Sequence, residues 1–352
     1  MVIYIIYLIY LMIITLLYRS KKKNNPKTYL IFSFIPLILI AGCRATTVGI
    51  DTQQFVDAFY GIIKRTPSQF SELRYEYGFS YLCWILGKIS KEPNILIFVT
   101  SFFINISVAR FIYKNSDNIT ISIILYFLGN FFFSYMNIMR QALAIAIILW
   151  GYEYLKQNKY VKFSIFVIVA SFFHGTAFLA LILILLKKIN YNKNFLFMVI
   201  TLSVLSFFFG KNIFLILSKF SSRLLKYAGG RFDVENYFAA LLNFVVYLVS
   251  YIFGFMCIYK NELKTKNNDM IGIMGMAVVC SSLTMKVSLF NRFTPYFSIF
   301  IIIWLANAIC EIKNRNNKMV YKIVIIILFL LYWSIILMLR PEWYGVVPYK
   351  FY

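Results

Sequence analysis

Apolar runs broken by short polar stretches fill the chain from its first residues. They fall near 2–18, 28–43, 78–90, 94–113, 119–135, 140–155, 161–186, 195–217, 237–259, 270–285, 292–310 and 321–339. Most approach the roughly 17–25 residues that carry a helix across ~30 Å of hydrocarbon. The pattern predicts an all-α, polytopic integral membrane protein of about 10–12 transmembrane helices with short loops. It reads as a single multi-pass membrane domain over 1–352, without internal repeats. Two runs fit a simple crossing poorly. Segment 78–90 is short enough for a half-span against the outer face. Segment 161–186 is flanked on both sides by basic clusters, at 156–162 and 187–194. One tilted helix, with one loop departing from the positive-inside tendency, is the simpler reading. The other is a re-entrant hairpin turning at His174-Gly175-Thr176, whose arms of about 12 residues would reach ~18 Å each.

Composition agrees with a membrane solvent. Hydrophobic residues make up 61% of the chain and charged residues 14%, against about 25% charged in soluble domains; the mean hydropathy is +0.75. The net charge is +23, from 36 Lys and Arg against 13 Asp and Glu. Cytoplasmic loops and anionic lipid account for such an excess without nucleic acid. The first run lacks a positive n-region and a small-residue cleavage site, so it reads as a span and not a cleaved signal. RSKKKNNPK follows it with five basic residues, which puts that loop in the cytoplasm and the N-terminus outside. Cys43, Cys83, Cys257, Cys280 and Cys310 form no CxxC pair and read as small apolar residues, with no disulfide framework and no metal site.

Three connections stand out. Loop 44–76 holds Asp51, Asp57, Glu72 and Glu76 and balances them with basic residues, which suits the outer side. Loop 218–236 carries Arg223 and Arg231. The tail RPEWYGVVPYKFY has the tyrosines and tryptophan of an interface belt.

Ionisable groups inside a membrane are costly and point to function by default. The lone histidine, His174, sits in VIVASFFHGTAFLALILILL, residues 167–186. It reads as a histidine bonding a backbone carbonyl between helices, or as a base or phosphate ligand. Arg140-Gln141 opens a helix, where a cation opposes the helix dipole and wants an anion or the headgroup level. A guanidinium fork suits phosphate oxygens; snorkelling is the alternative. Arg292 stands at a similar helix start, just before Pro295. In GCRATTVGIDTQQF, Arg44 and Asp51 bracket a glycine and two threonines, which reads as a solvated Arg–Asp pair or as a sugar-binding loop.

These places, taken in order, resemble the EpsG family of polysaccharide polymerases, relatives of the Wzy-type polymerases. The resemblance is carried by RATTVGIDTQQF (44–55), EYGFSYLCWIL (76–86), MRQALAIAIILWGYEYLKQNKYVKFSIFVIVASFFHGTAFL (139–179) and NRFTPYF (291–297). Tyr77 stands where the family usually has proline, and Thr176 where serine is common. The resemblance implies a glycosyltransferase of the bacterial plasma membrane. It would join polyprenyl-diphosphate-linked glycan repeat units on the extracytoplasmic face and release polyprenyl diphosphate.

Such a reaction needs fixed positive charge where the diphosphate leaves and a base for the acceptor hydroxyl. Arg140 and Arg292 are the first choices for the charge, with Arg44, Gln141, Arg223 and Arg231 as further substrate contacts. His174 is the base or a phosphate ligand, and Asp51 and Glu76 are its rivals. The chemistry is expected to need no metal and no cofactor. Partners would be the lipid-linked oligosaccharide, membrane lipid and other polysaccharide-assembly proteins. A lipid-linked oligosaccharide flippase, a ligase or a membrane O-acyltransferase using His174 are the rival readings; a flippase of this kind would show two related halves.

Overall fold

The computed structural model describes residues 1–20, 25–219, 237–260 and 268–352. Among these the regular elements are helices, with one isolated bridge pair. The protein is an all-α polytopic membrane protein. Among the described residues five helices are long and apolar enough to cross a bilayer: Val2–Ser20, Asn94–Asn115, Asn194–Ile216, Tyr237–Ile258 and Arg315–Leu339. Two bent pairs reach the same standard together, and Pro26–Gly42, Tyr160–Ser171, Gly175–Lys187 and Asp269–Thr284 are shorter apolar helices. The described chain forms two compact units, 1–178 with 319–352, and 179–318.

In the first unit, α1 (Val2–Ser20) buries only the stripe Tyr4, Tyr7 and Leu11 and turns Ile5, Ile6, Ile9, Met12 and Ile13 outward. In a bilayer that outward face costs nothing, since hydrocarbon is its solvent. Helix α2 (Pro26–Gly42) starts with proline at its first turn, and the Asn25 side chain accepts from the Lys27 and Thr28 N–H groups. Connection 44–76, read from sequence as a loop, contains α3 (Thr52–Ile63). Phe55, Val56, Ala58, Phe59 and Ile62 repeat at helical spacing and are buried, while Gln53, Gln54 and Asp57 are exposed. That face packs on α4 (Tyr77–Ile89) in a shared core with Phe70, Phe79, Cys83 and Leu86. Helix α4 is only about 20 Å long, too short to cross the bilayer alone.

Helices α5 (Asn94–Asn115), α6 (Ile119–Leu128), α7 (Phe131–Asn137), α8 (Met139–Lys156) and α9 (Tyr160–Ser171) complete the unit with the final helix, Arg315–Ser334. The axes of α6 and α7 differ by 49°. Asn130, at φ 62, takes the left-handed conformation that asparagine tolerates, and the helix stops there. Segment 161–186 is not one tilted helix. Helix α9 ends at Ser171, the chain turns through Phe172, Phe173 and His174, and a 3-10 turn, Gly175–Leu181, leads on. Ser171 and the 3-10 bonds from the Phe172 and Phe173 N–H groups to Val169 and Ala170 carbonyls mark the break.

The tail is more than an interface belt. Segment 344–352 runs back along loop 43–50. The Ala45 N–H donates to the Lys350 carbonyl at 2.9 Å, Gly49 to Gly345 at 2.8 Å, Ile50 to Tyr344 at 3.3 Å, and Tyr352 to Cys43 at 3.0 Å. The Tyr4 hydroxyl donates to the Val346 carbonyl at 2.9 Å and the Tyr349 hydroxyl to Ile40 at 2.8 Å. Burial pushes the Tyr349 phenol up to about 12, so it stays a neutral donor.

In the second unit, α10 (Ile182–Lys187), α11 (Asn194–Lys219), α12 (Tyr237–Lys260) and α13 (Asn268–Thr284) pack with α14 (Pro295–Ser298) and α15 (Ile301–Cys310). Trp304 is buried, donates to the Ser250 carbonyl at 2.9 Å and lies against Gly254, where any side chain would collide with it. Lys187 pairs with Asp269 at 2.9 Å.

Candidate functional site

Three residues far apart in sequence meet at one carboxylate. Glu76 precedes α4 in extended conformation, with φ −66 and ψ 148, and its side chain does not cap that helix. Its carboxylate instead accepts from Arg140 Nη1, and from the Gly175 N–H at 3.1 Å. His174 Nδ1 lies 3.7 Å from the same oxygen that Gly175 contacts. The side chains are part-buried, 28% exposed for Glu76, 21% for Arg140 and 13% for His174, so the Glu76–Arg140 pair is screened less than an exposed one.

Local structure explains each position. Arg140 sits in the first turn of α8, where its charge opposes the helix dipole, and Glu76 supplies the anion that makes this tolerable. The guanidinium lies 5.0 Å from the Tyr75 ring and 5.9 Å from the Phe79 ring, within cation–π range. Phe79, three residues after Glu76, shares its face of α4. Gly78 donates its N–H to the Phe172 carbonyl at 2.8 Å, and a Cβ there would stand 2.7 Å from that oxygen. Thus Glu-Tyr-Gly-Phe is one device. The acid ties Arg140 to the His174 turn, the glycine lets α4 dock on that turn, and the phenylalanine backs the cation.

The guanidinium has donors to spare. Arg140 Nε is buried and has no hydrogen-bond partner among the described residues, and of five N–H donors Glu76 engages Nη1 alone.

The opposite ends of α8 and α9 are basic. Lys156 pairs with Glu153 at 3.1 Å and donates to Asn115 at 2.6 Å, and Lys159 and Lys162 follow. Helix α8 puts about 24 Å between Lys156 and Arg140, and α9 returns the chain to His174.

The other expected residues fall as follows. Gln141 is next to Arg140 but buried at 5% exposure, because one residue along a helix is about 100° round. Arg44 is not a solvated loop residue. It is 1% exposed and donates to the Ala41 and Met136 carbonyls, the latter at 3.0 Å, and to Ser101 Oγ at 3.2 Å. None of these partners is Asp51, so the expected Arg–Asp pair is replaced by a cation tying loop, α2, α5 and α7 together. Asp51 stands half-buried at the start of α3, on the loop that the tail holds. Arg292 belongs to the second unit and closes the turn Ser288–Arg292 just before Pro295. Arg223 and Arg231 lie outside the described residues. Among the described residues no three His, Cys, Asp or Glu side chains cluster as a metal site would need. Gly78 and Phe79 lie in the EYGF stretch that carries the family resemblance, but the sequence reading gave them no role, and it did not single out Tyr75.

Fold and site together define a multi-pass helical membrane protein with a part-buried Glu–Arg–His cluster at one end of its helices. Residues 27–351 match the EpsG family model, and the chain belongs to the EpsG family. It is also similar to the amylovoran biosynthesis protein AmsC of Erwinia amylovora, with 26% identity over 235 residues, 64% of this chain and 62% of that protein. The match thus spans about three-fifths of the length of that curated relative. No solved structure matches the chain.

Proposed function

We propose that the protein works in polysaccharide biosynthesis as a membrane glycosyltransferase, a polymerase that joins polyprenyl-diphosphate-linked glycan units and releases polyprenyl diphosphate. Family membership and the name of the AmsC relative support the polysaccharide part. The observation that carries the chemistry is the Glu76 carboxylate gathering Arg140 and the His174 turn. In this reading Arg140 donates its remaining N–H groups to the diphosphate as negative charge grows on it. The Glu76 carboxylate, 3.7 Å from His174 Nδ1, favours the tautomer with the proton on Nδ1 and so leaves Nε2 as the base for the acceptor hydroxyl. The acceptor oxygen bonds to the anomeric carbon, the sugar–phosphate bond breaks, and the diphosphate departs with that electron pair. Asp51, at the start of α3 in the same unit, is assigned to the sugar.

The reaction is placed on the extracytoplasmic face of a bacterial plasma membrane. Lys156, Lys159 and Lys162 mark the cytoplasmic end of α8 and α9 by the positive-inside tendency, and the Glu–Arg–His cluster is at the other end. The basic start of the final helix, with Arg315, Lys318 and Lys322, likewise sends segment 344–352 outward.

The test is lipid-linked glycan analysis of cells carrying His174→Ala at normal membrane levels, with reconstituted protein beside it. Single repeat units accumulate and long polymer disappears if the reading holds. Long polymer from the variant overturns the role of His174. Wild-type protein that only moves short units across the bilayer is a flippase.

A further inference from the structure

A groove of about 500 Å³ opens between α5, α8 and α9 and is lined by Phe103, Ile147, Trp150, Phe166, Val169 and Phe173, with Ile165 at its rim. Its volume falls in the range of about 300–1,000 Å³ typical of small-molecule sites, and its lining is wholly hydrocarbon and aromatic. Its position sets it apart from the general lipid-facing surface. Phe173, at one end, immediately precedes His174. Ile147 is seven residues from Arg140, on nearly the same stripe of α8 about 10 Å along the axis. From Phe173 the groove follows α9 through Val169 to Ile165, about 12 Å away from the polar cluster. The wall is held in place. Trp150 Nε1 donates to Ser107 Oγ at 2.9 Å, and the Arg110 guanidinium stacks 4.1 Å over the Trp150 ring.

We propose that this groove holds the first isoprenoid units of the polyprenyl tail of the donor, directly behind its diphosphate. The inference rests on the polymerase reading given above and adds the lipid half of the substrate to the same site. The argument is complementarity along one line. An amphiphile with an anionic diphosphate meets Arg140 and His174 at one end, and its methyl-branched hydrocarbon meets aromatic and β-branched walls at the other. An aromatic wall offers flat faces to the methyl branches and double bonds of such a chain.

The experiment uses a diazirine-bearing polyprenyl diphosphate in vesicles of phosphatidylethanolamine and phosphatidylglycerol holding the full chain, with cross-links mapped by mass spectrometry. Cross-links are expected at 147–150 and 165–173, competed by unlabelled polyprenyl diphosphate but not by added phosphatidylglycerol. Val169→Trp, at a position 43% exposed, fills the groove without touching the core and is expected to lower labelling about tenfold, the equivalent of ~1.4 kcal/mol. Ile165→Trp acts in the same direction, and Val161→Trp, on α9 outside the groove, leaves labelling unchanged. Equal competition by phosphatidylglycerol, or labelling confined to other helices, overturns the proposal. Chain growth is read on the same vesicles. Tail labelling in the groove without polymer keeps the groove and refutes the polymerase reading; polymer without groove labelling does the reverse.

Discussion

Glu76→Gln isolates the charge at the centre of the cluster. The amide keeps the size of the carboxylate and still accepts from the Gly175 N–H, but it gives Arg140 no counter-charge and His174 no anion. The magnitude follows from burial. An exposed ion pair contributes about 0–1 kcal/mol, and removing one partner of a fully buried pair costs about 3–5 kcal/mol. At 28% and 21% exposure the pair lies between, at about 2 kcal/mol of stability. The loss in rate should be larger, because the same carboxylate positions two groups; about 100-fold in kcat, or ~2.7 kcal/mol, is expected. The assay is chain growth by reconstituted protein, run as a double-mutant cycle with Arg140→Gln and a thermal melt of each variant. If Glu76 acts through Arg140, the double variant is barely worse than the poorer single one, with a coupling energy above about 1 kcal/mol. Additive losses, or wild-type kcat in Glu76→Gln, would refute a shared device.

Arg140→Lys keeps a cation but loses the planar fork and its stacking on Tyr75 and Phe79; kcat should fall at least about 10-fold with unchanged membrane levels, and full activity would reduce the site's need to a generic positive charge. Gly78→Ala puts a methyl 2.7 Å from the Phe172 carbonyl and should cost about 1–3 kcal/mol in a melt as α4 backs away from the His174 turn. Arg44→Met leaves the Ala41 and Met136 carbonyls unpaired at about 1–3 kcal/mol each; melting and expression should drop while KM of the surviving protein holds, whereas a raised KM alone would make Arg44 a substrate contact.

What the sequence revealed and what it hid divide by range. Apolar runs such as 2–18 and 94–113 became helices with nearly the expected bounds, because lipid makes length and hydropathy sufficient. Arg140 was recognisable because a cation at a helix start is a local conflict. Its solution was not local. Glu76 is 64 residues from Arg140 and 99 from Gly175, and no periodicity reports such a pairing. Arg44 looked like a solvated loop residue because its neighbours are polar, yet its acceptor on Met136 lies 92 residues away. The break at His174 was open in the sequence as the alternative to one tilted helix, since His174-Gly175-Thr176 interrupts the apolar run; what could not be read was that α4 docks on this turn through Gly78. Helix α3 is the converse, since the spacing of Phe55, Phe59 and Ile62 was there to be read.

The pairing of residues 344–352 with 43–50 has a consequence for biogenesis. The ribosome makes the second strand of that pair only after every preceding membrane helix has emerged. Until then the N–H groups of Ala45, Gly49 and Ile50 have water for a partner, and Arg44 is anchored without its neighbour Phe351. The platform that carries Asp51 therefore closes only after the helix Arg315–Ser334 has been made, which ties its maturation to insertion of that helix.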